Sequence, residues 1–305
     1  MKIRIYTLLK YFESIASRVL IILFVASLET AQARTEEIKR IHPPIGNFAL
    51  DPSQQPMNLL GFGQLILEKG VAQVMAPFIR YQGSNAQTTK FLPTGIYGLR
   101  DDLSILFRMP IALNTKNDDK HASGLETLLL QAEYVPYINE TNAFDEHMTI
   151  VTNATIPTGS SVEKRFPTGF NSSSFFLGTT FGRTYTDWVA FTSEGVNVGI
   201  RNEGRTVGTS VLYQAGIGKN FSSAAGKYIF AGLLEMTGVY TGKTRYSYGT
   251  DPHSGGNVIY VTPSLFLSTP KFIGQLGIGL PIVQNLFGSQ NKINCLLVSN
   301  FAWTF

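Results

Sequence analysis

At 305 residues the chain is long enough for two soluble domains or one large barrel. Charged residues make up only 15%, while glycine (29), phenylalanine (21) and tyrosine (13) are abundant; soluble domains carry about 25% charge, so the balance argues against a cytosolic enzyme and for a lipid-facing β protein. The net charge of +4 is too weak to imply a nucleic-acid partner, and a single cysteine excludes an internal disulfide.

Residues 1–33 read as a signal peptide. Lys2, Arg4, Lys10 and Arg18 precede or open an apolar run, Val19 to Leu28, and Ala31-Gln32-Ala33 supplies a small-x-small cleavage pattern. No later run approaches the ~20 apolar residues that a transmembrane helix needs. An exported chain of this kind enters a membrane only as a closed barrel, because backbone groups in hydrocarbon require partners.

Residues 34–69 are poorly patterned. His42-Pro43-Pro44, Asp51-Pro52 and Pro56 disfavour long regular elements. Met57 to Leu67 is more apolar and fits a short helix or an extended piece. A periplasmic tail and a plug folded into the lumen are both open, with the tail preferred.

Residues 70–305 read as the barrel, with about twelve alternating segments of roughly ten residues, the length of a tilted spanning strand. The first six are Val71–Tyr81, Phe91–Gly98, Leu103–Ala112, Leu125–Val135, Met148–Ile156 and Ser174–Thr184. The rest are Trp188–Asn197, Val207–Lys219, Tyr228–Tyr240, Val258–Ser268, Phe272–Pro281 and Lys292–Phe305. Short and long connectors mostly alternate; Gln82–Lys90 and Asn114–Gly124 read as long loops, and Tyr137–His147 and Asn220–Lys227 are intermediate. Within a segment one face is apolar and the other small or polar: Ile105 and Phe107 oppose Ser104 and Arg108, and Leu276, Ile278 and Leu280 oppose Gln275, Gly277 and Gly279. A soluble sandwich shows the same alternation with the faces reversed. Low charge, the export signal and the aromatic end favour a transmembrane antiparallel up-and-down β-barrel, an all-β fold.

The last strand carries Phe301, Trp303 and Phe305 on its greasy face, residues suited to an interfacial girdle. That ending resembles the terminal strand of bacterial outer-membrane barrels, which implies recognition by the barrel-assembly machinery. Leu65-Ile-Leu-Glu-Lys-Gly70, Tyr97-Gly-Leu-Arg-Asp-Asp-Leu103, Met109-Pro110 and Tyr260-Val-Thr-Pro263 resemble the outer-membrane family named for the MetA pathway of phenol degradation. The resemblance spans roughly residues 65–305. It implies a Gram-negative outer-membrane barrel of about a dozen strands that carries small hydrophobic or aromatic compounds, and it fixes no functional residue. The chain departs from it at Met75, where an acidic residue is expected.

Alternation puts Arg108, Gln131, Glu133 and Glu235 on the lumen side. They suit a charged constriction that selects solutes, or, the preferred alternative, a structural ion pair filling a narrow bore. Lys164 and Arg165 suit contacts with lipopolysaccharide phosphates or a plain solvated loop, and Tyr246–His253 suits an entrance loop. His42, His121, His147 and His253 lack ligand spacing, and no Gly-x-Ser-x-Gly elbow exists, so no metal, no cofactor and no enzyme activity are expected. The expected partners are outer-membrane lipids, lipopolysaccharide and a small-molecule solute, with no nucleic acid. The expected function is passive passage of small hydrophobic solutes; the alternative is a non-transporting surface barrel whose loops bind a partner or lipopolysaccharide.

Overall fold

The structure, a computed structural model, describes residues 50–117, 120–141, 143–158, 172–202, 204–224 and 226–305. The signal peptide read over residues 1–33 and the loop holding Lys164 and Arg165 lie outside the described residues.

Twelve passes of the chain form one closed antiparallel barrel. The first four passes are each broken in two. They are β1 (Ala72–Met75) with β2 (Phe78–Gly83), β3 (Ala86–Phe91) with β4 (Thr94–Arg100), β5 (Leu103–Arg108) with β6 (Ile111–Asn117), and β7 (Lys120–Leu125) with β8 (Leu128–Glu140). Three of the four breaks hold a proline, which has no N–H for the ladder. The prolines sit side by side and lend their carbonyls instead: Leu92 N donates to Pro77 O (2.9 Å), Met109 N to Pro93 O (3.0 Å) and Glu126 N to Pro110 O (2.8 Å). The breaks are therefore stitched to one another across the wall.

Eight unbroken passes follow. They are β9 (Phe144–Ile156), β10 (Ser174–Tyr185), β11 (Trp188–Gly199), β13 (Ser210–Ala224), β14 (Tyr228–Thr241), β17 (Gly256–Thr269), β18 (Phe272–Leu286) and β19 (Ile293–Thr304). The short strands β12 (Arg205–Thr206), β15 (Arg245–Tyr246) and β16 (Gly249–Thr250) make a separate small sheet in two of the long connectors. Closure is made by β1 against β19, with Gln73 opposite Thr304 and Met75 opposite Ala302. Phe305 N donates to Ala72 O (2.8 Å) and Ala72 N to Phe305 O (3.2 Å), so the last residue completes the seam.

Two sequence expectations are corrected. Gln82–Lys90 and Asn114–Gly124 are not long loops; most of each is strand, in β2–β3 and β6–β7. Gln87, Thr88, Thr89 and Lys90 are polar on both faces and so carry no period-two signal, yet they pair fully with β2. The intermediate connectors shrink to tight turns, because β8 runs on to Glu140 before β9 starts at Phe144, and β13 runs to Ala224 before β14 starts at Tyr228.

The barrel is inside-out relative to a soluble sheet. Leu265 and Leu276, paired across β17 and β18, are 53% and 55% exposed, whereas Ser264 and Gln275 beside them are buried. Ile105, Phe107, Leu130, Ile278 and Leu297 continue the exposed apolar band. Tyr137, Tyr185, Trp188, Trp303 and Phe305 are exposed at the tight-turn end, where an aromatic girdle belongs. Bulk water does not tolerate so large a contiguous apolar surface. Among the described residues no helix is long and apolar enough to cross a membrane.

An arginine at the middle of such a band has no aqueous outlet. Leu276→Arg is expected to lower folding stability in lipid vesicles by about 2–4 kcal/mol, measured by urea titration. A change below about 0.5 kcal/mol, the usual effect of a surface substitution in water, would mean that the face is hydrated.

Candidate channel lumen

The barrel interior holds a segment of its own chain. Residues 50–69, which the sequence left open as tail or plug with the tail preferred, run through the lumen. The segment enters beside the seam: Gln54 Nε2 donates to Thr304 Oγ1 (2.6 Å), Ser268 Oγ to Gln54 Oε1 (3.2 Å), and Gln73 Nε2 to the Ser53 carbonyl (3.0 Å). It crosses past β18, where Gln275 Nε2 donates to Met57 O (3.3 Å). It then bends under the β13–β10 wall and returns along β8 and β5. There Leu67 N donates to Ser104 Oγ (2.8 Å) and Lys69 N to Asp101 Oδ1 (2.9 Å).

Two buried glutamates hold the bend. Leu59 N donates to Glu235 at 2.9 Å (Oε2) and 3.1 Å (Oε1), and Leu65 N donates to Glu133 Oε2 at 3.0 Å. Gln214 Nε2 donates to Glu235 Oε2 (3.2 Å) and Gln131 Nε2 to Glu133 Oε1 (2.7 Å). A carboxyl group taken out of water is costly unless hydrogen-bond donors meet it; here the donors are backbone N–H groups that would themselves be orphaned in a strandless segment. Each side therefore satisfies the other. Between the anchors Phe62 packs edge-on against Phe176 (4.6 Å between centroids), and Thr180 Oγ1 donates to Phe62 O (3.2 Å). Gly63 takes a φ of 79°, and a Cβ there would stand 2.3 Å from Thr180 Oγ1, so no side chain fits. Gln64 follows with a φ of 67°, a left-handed conformation that a non-glycine residue holds only when its surroundings impose it.

All four candidate lumen residues turn inward, but they are not one constellation. Arg108 Nε donates to Thr94 Oγ1 (3.0 Å), while Glu133 is taken by Leu65 and Gln131, so these two charges have different partners. Glu235 lies across the barrel on β14. Met75, the departure from the resembled family, is buried with Leu50, Met57 and Leu67 in an apolar cluster at the foot of the lumen. Trp303 and Phe305 face outward, 44% and 76% exposed, with Phe272 5.5 Å from Trp303 and 6.4 Å from Phe301. Sequence reasoning placed Gln275 opposite the apolar face without giving it a role, and it did not single out Gln54, Gln73 or Gln214 as anchors. The available signal was three large amides, Gln73, Gln214 and Gln275, at inward positions of their strands.

On the β17, β19 and β2 side the segment packs against a second apolar cluster of the inner wall. Tyr260, Leu296 and Val298 are buried together, with Leu59, Leu60, Ile79, Tyr81 and Val258 packed on them. Barrel lumens are ordinarily polar, so an aliphatic and aromatic inner wall is a feature of this chain. Beside it Lys90 and Glu126 form an ion pair of 2.8 Å. Among the described residues no group of three or more His, Cys, Asp or Glu could hold a metal ion.

No protein-family model matches the sequence, and no curated protein matches it. Solved structures do match the fold. One is the COG4313 outer membrane channel from Pseudomonas putida F1, at 16% identity and a TM-score of 0.61, over 78% of this chain and 97% of that one. NanC porin aligns over 76% of this chain and 98% of its own, at 11% identity and a TM-score of 0.47. The closed antiparallel barrel of this chain thus shares its fold with an outer membrane channel.

Removing the Glu235 carboxyl orphans the Leu59 N–H. Glu235→Ala is expected to cost about 1–3 kcal/mol and to speed amide hydrogen exchange at Leu59, whereas Glu235→Gln keeps an acceptor and protects that amide. Unchanged exchange at Leu59 in the alanine variant would show that the segment is held without this anchor.

Proposed function

We propose that the chain is an outer-membrane channel for passive passage of small hydrophobic solutes. The observation that carries this is the apolar inner wall formed by Ile79, Tyr81, Val258, Tyr260, Leu296 and Val298, on which Leu59 and Leu60 of the lumen segment pack. A hydrated ion gains nothing from such a wall, while an apolar solute leaves water on reaching it. The apolar exterior supports a bilayer setting, and the likeness to an outer membrane channel supports a barrel of this type. The resemblance to the phenol-degradation family points to the same solute class. In this reading the Glu133- and Glu235-anchored segment narrows the bore, and no catalysis is assigned.

One observation favours the second reading, a surface barrel that binds through its loops. In the small loop sheet Tyr246 and Tyr248 stack at 5.2 Å with Tyr248 86% exposed, and Arg205 lies 5.9 Å from the Tyr246 ring.

The test uses vesicles with a lipopolysaccharide outer leaflet, since plain phospholipid already passes apolar solutes. Protein is expected to speed entry of a labelled small hydrocarbon severalfold and to add little ion conductance. Entry no faster than in protein-free vesicles would reject the channel; deleting the 242–255 connector with entry unchanged would leave the loops free for binding.

A further inference from the structure

The apolar inner wall contains two polar groups that nothing in the fold uses. Tyr260 is only 8% exposed and belongs to the buried cluster on which Tyr81 packs. Among the described residues neither phenol hydroxyl has a hydrogen-bond partner. Neither hydroxyl is among the fully enclosed polar atoms that lack a partner, so each reaches open space in the lumen, where a solute can meet it. Tyr81 stands on β2 opposite Leu296, and Ile79, two residues earlier on the same face, stands opposite Lys90 on β3. The two hydroxyls therefore sit among aliphatic side chains, next to a charge pair whose members, Lys90 and Glu126, already neutralise each other.

We propose that Tyr81 and Tyr260 form a binding site on the solute path for a neutral apolar molecule bearing one hydrogen-bonding head group, such as an alcohol or a ketone. The aliphatic wall takes the body of the molecule, and the phenol hydroxyls take its head. Sites for small ligands are built this way, with an apolar lining and a few placed polar groups that fix orientation. The ion pair argues for neutrality: a carboxylate arriving at Lys90 meets Glu126, and an ammonium arriving at Glu126 meets Lys90. A bare hydrocarbon fits the wall but leaves both hydroxyls unmet, so the site discriminates by a missing hydrogen bond rather than by size. The proposal rests on the channel reading for its place on a transport path, though binding itself does not require transport.

The experiment measures free solute in the headspace over nanodiscs that carry the full chain, with empty nanodiscs subtracted. The probes are cyclohexanol, methylcyclohexane and cyclohexanecarboxylate. The full chain is expected to bind cyclohexanol about fivefold more tightly than methylcyclohexane, the worth of one net hydrogen bond. Tyr260→Phe or Tyr81→Phe, which preserve ring packing, are expected to erase that preference and leave methylcyclohexane binding unchanged. Equal binding of alcohol and hydrocarbon overturns the proposal, as does a preference that survives the double Tyr→Phe variant, or tighter binding of the carboxylate. Entry into lipopolysaccharide vesicles is read in parallel. Selective binding without accelerated entry keeps the site and rejects the channel; accelerated entry without selective binding does the reverse.

Discussion

The structure depends on one constraint: a strand surrounded by hydrocarbon must find every hydrogen-bond partner on its neighbours, because the solvent offers none. An open sheet leaves two rows of unmet N–H and C=O groups; closing it removes both. The seam between β1 and β19 is where the chain meets this demand. It extends to the terminal residue, whose N–H and C=O both bond to Ala72. The proline-broken passes obey the same rule. Each proline withholds a donor, and its carbonyl is taken by the neighbouring pass, so the breaks at residues 77, 93 and 110 stay bonded to the wall beside them.

Inside the barrel the problem is reversed. The bore of a twelve-stranded barrel is too wide for its own side chains to fill as they fill an eight-stranded one. The chain fills the lower lumen with residues 50–69, which have no strand or long helix to satisfy their backbone. Inward glutamines and glutamates supply the missing partners. Gln275 donates to Met57 O, Glu235 accepts from Leu59 N and Glu133 accepts from Leu65 N. The polar residues on the inner face of β5, β8, β14 and β18 thus bind backbone, and their presence does not by itself mark a water path.

That explains which features could be read from the sequence. Alternation such as Ile105, Phe107 against Ser104, Leu106 is imposed by hydrocarbon on one side, so all twelve passes were legible wherever they cross the apolar band. Strand beyond the band has water on its outer face, and there Gln87–Lys90 shows no period and reads as loop. The inward orientation of Arg108, Gln131, Glu133 and Glu235 followed from parity alone. Their partners did not, because a carboxyl group that binds a backbone N–H some 70 or 180 residues away leaves no mark on the residue that donates it; Leu59 and Leu65 look like any leucine. The lumen segment was illegible for the same reason, since its conformation is set by side chains on other elements and not by its own pattern.

On the channel reading proposed above, the engagement of the lumen's polar groups bears on what can pass. A polar bore of this width admits small ions with solutes, because carboxyl and amide groups replace hydration water. The lumen segment engages those groups, and the cluster on which its Leu59 and Leu60 pack is aliphatic and aromatic. An ion reaching that wall sheds water for no return, a cost far larger than thermal energy. A neutral apolar solute gains about 25 cal/mol for each Å² it removes from water. In the channel proposed above, discrimination against ions would need no moving gate: it would follow from which polar groups in the lumen are already engaged, with the anchoring of Leu59 and Leu65 serving selectivity as well as the fold.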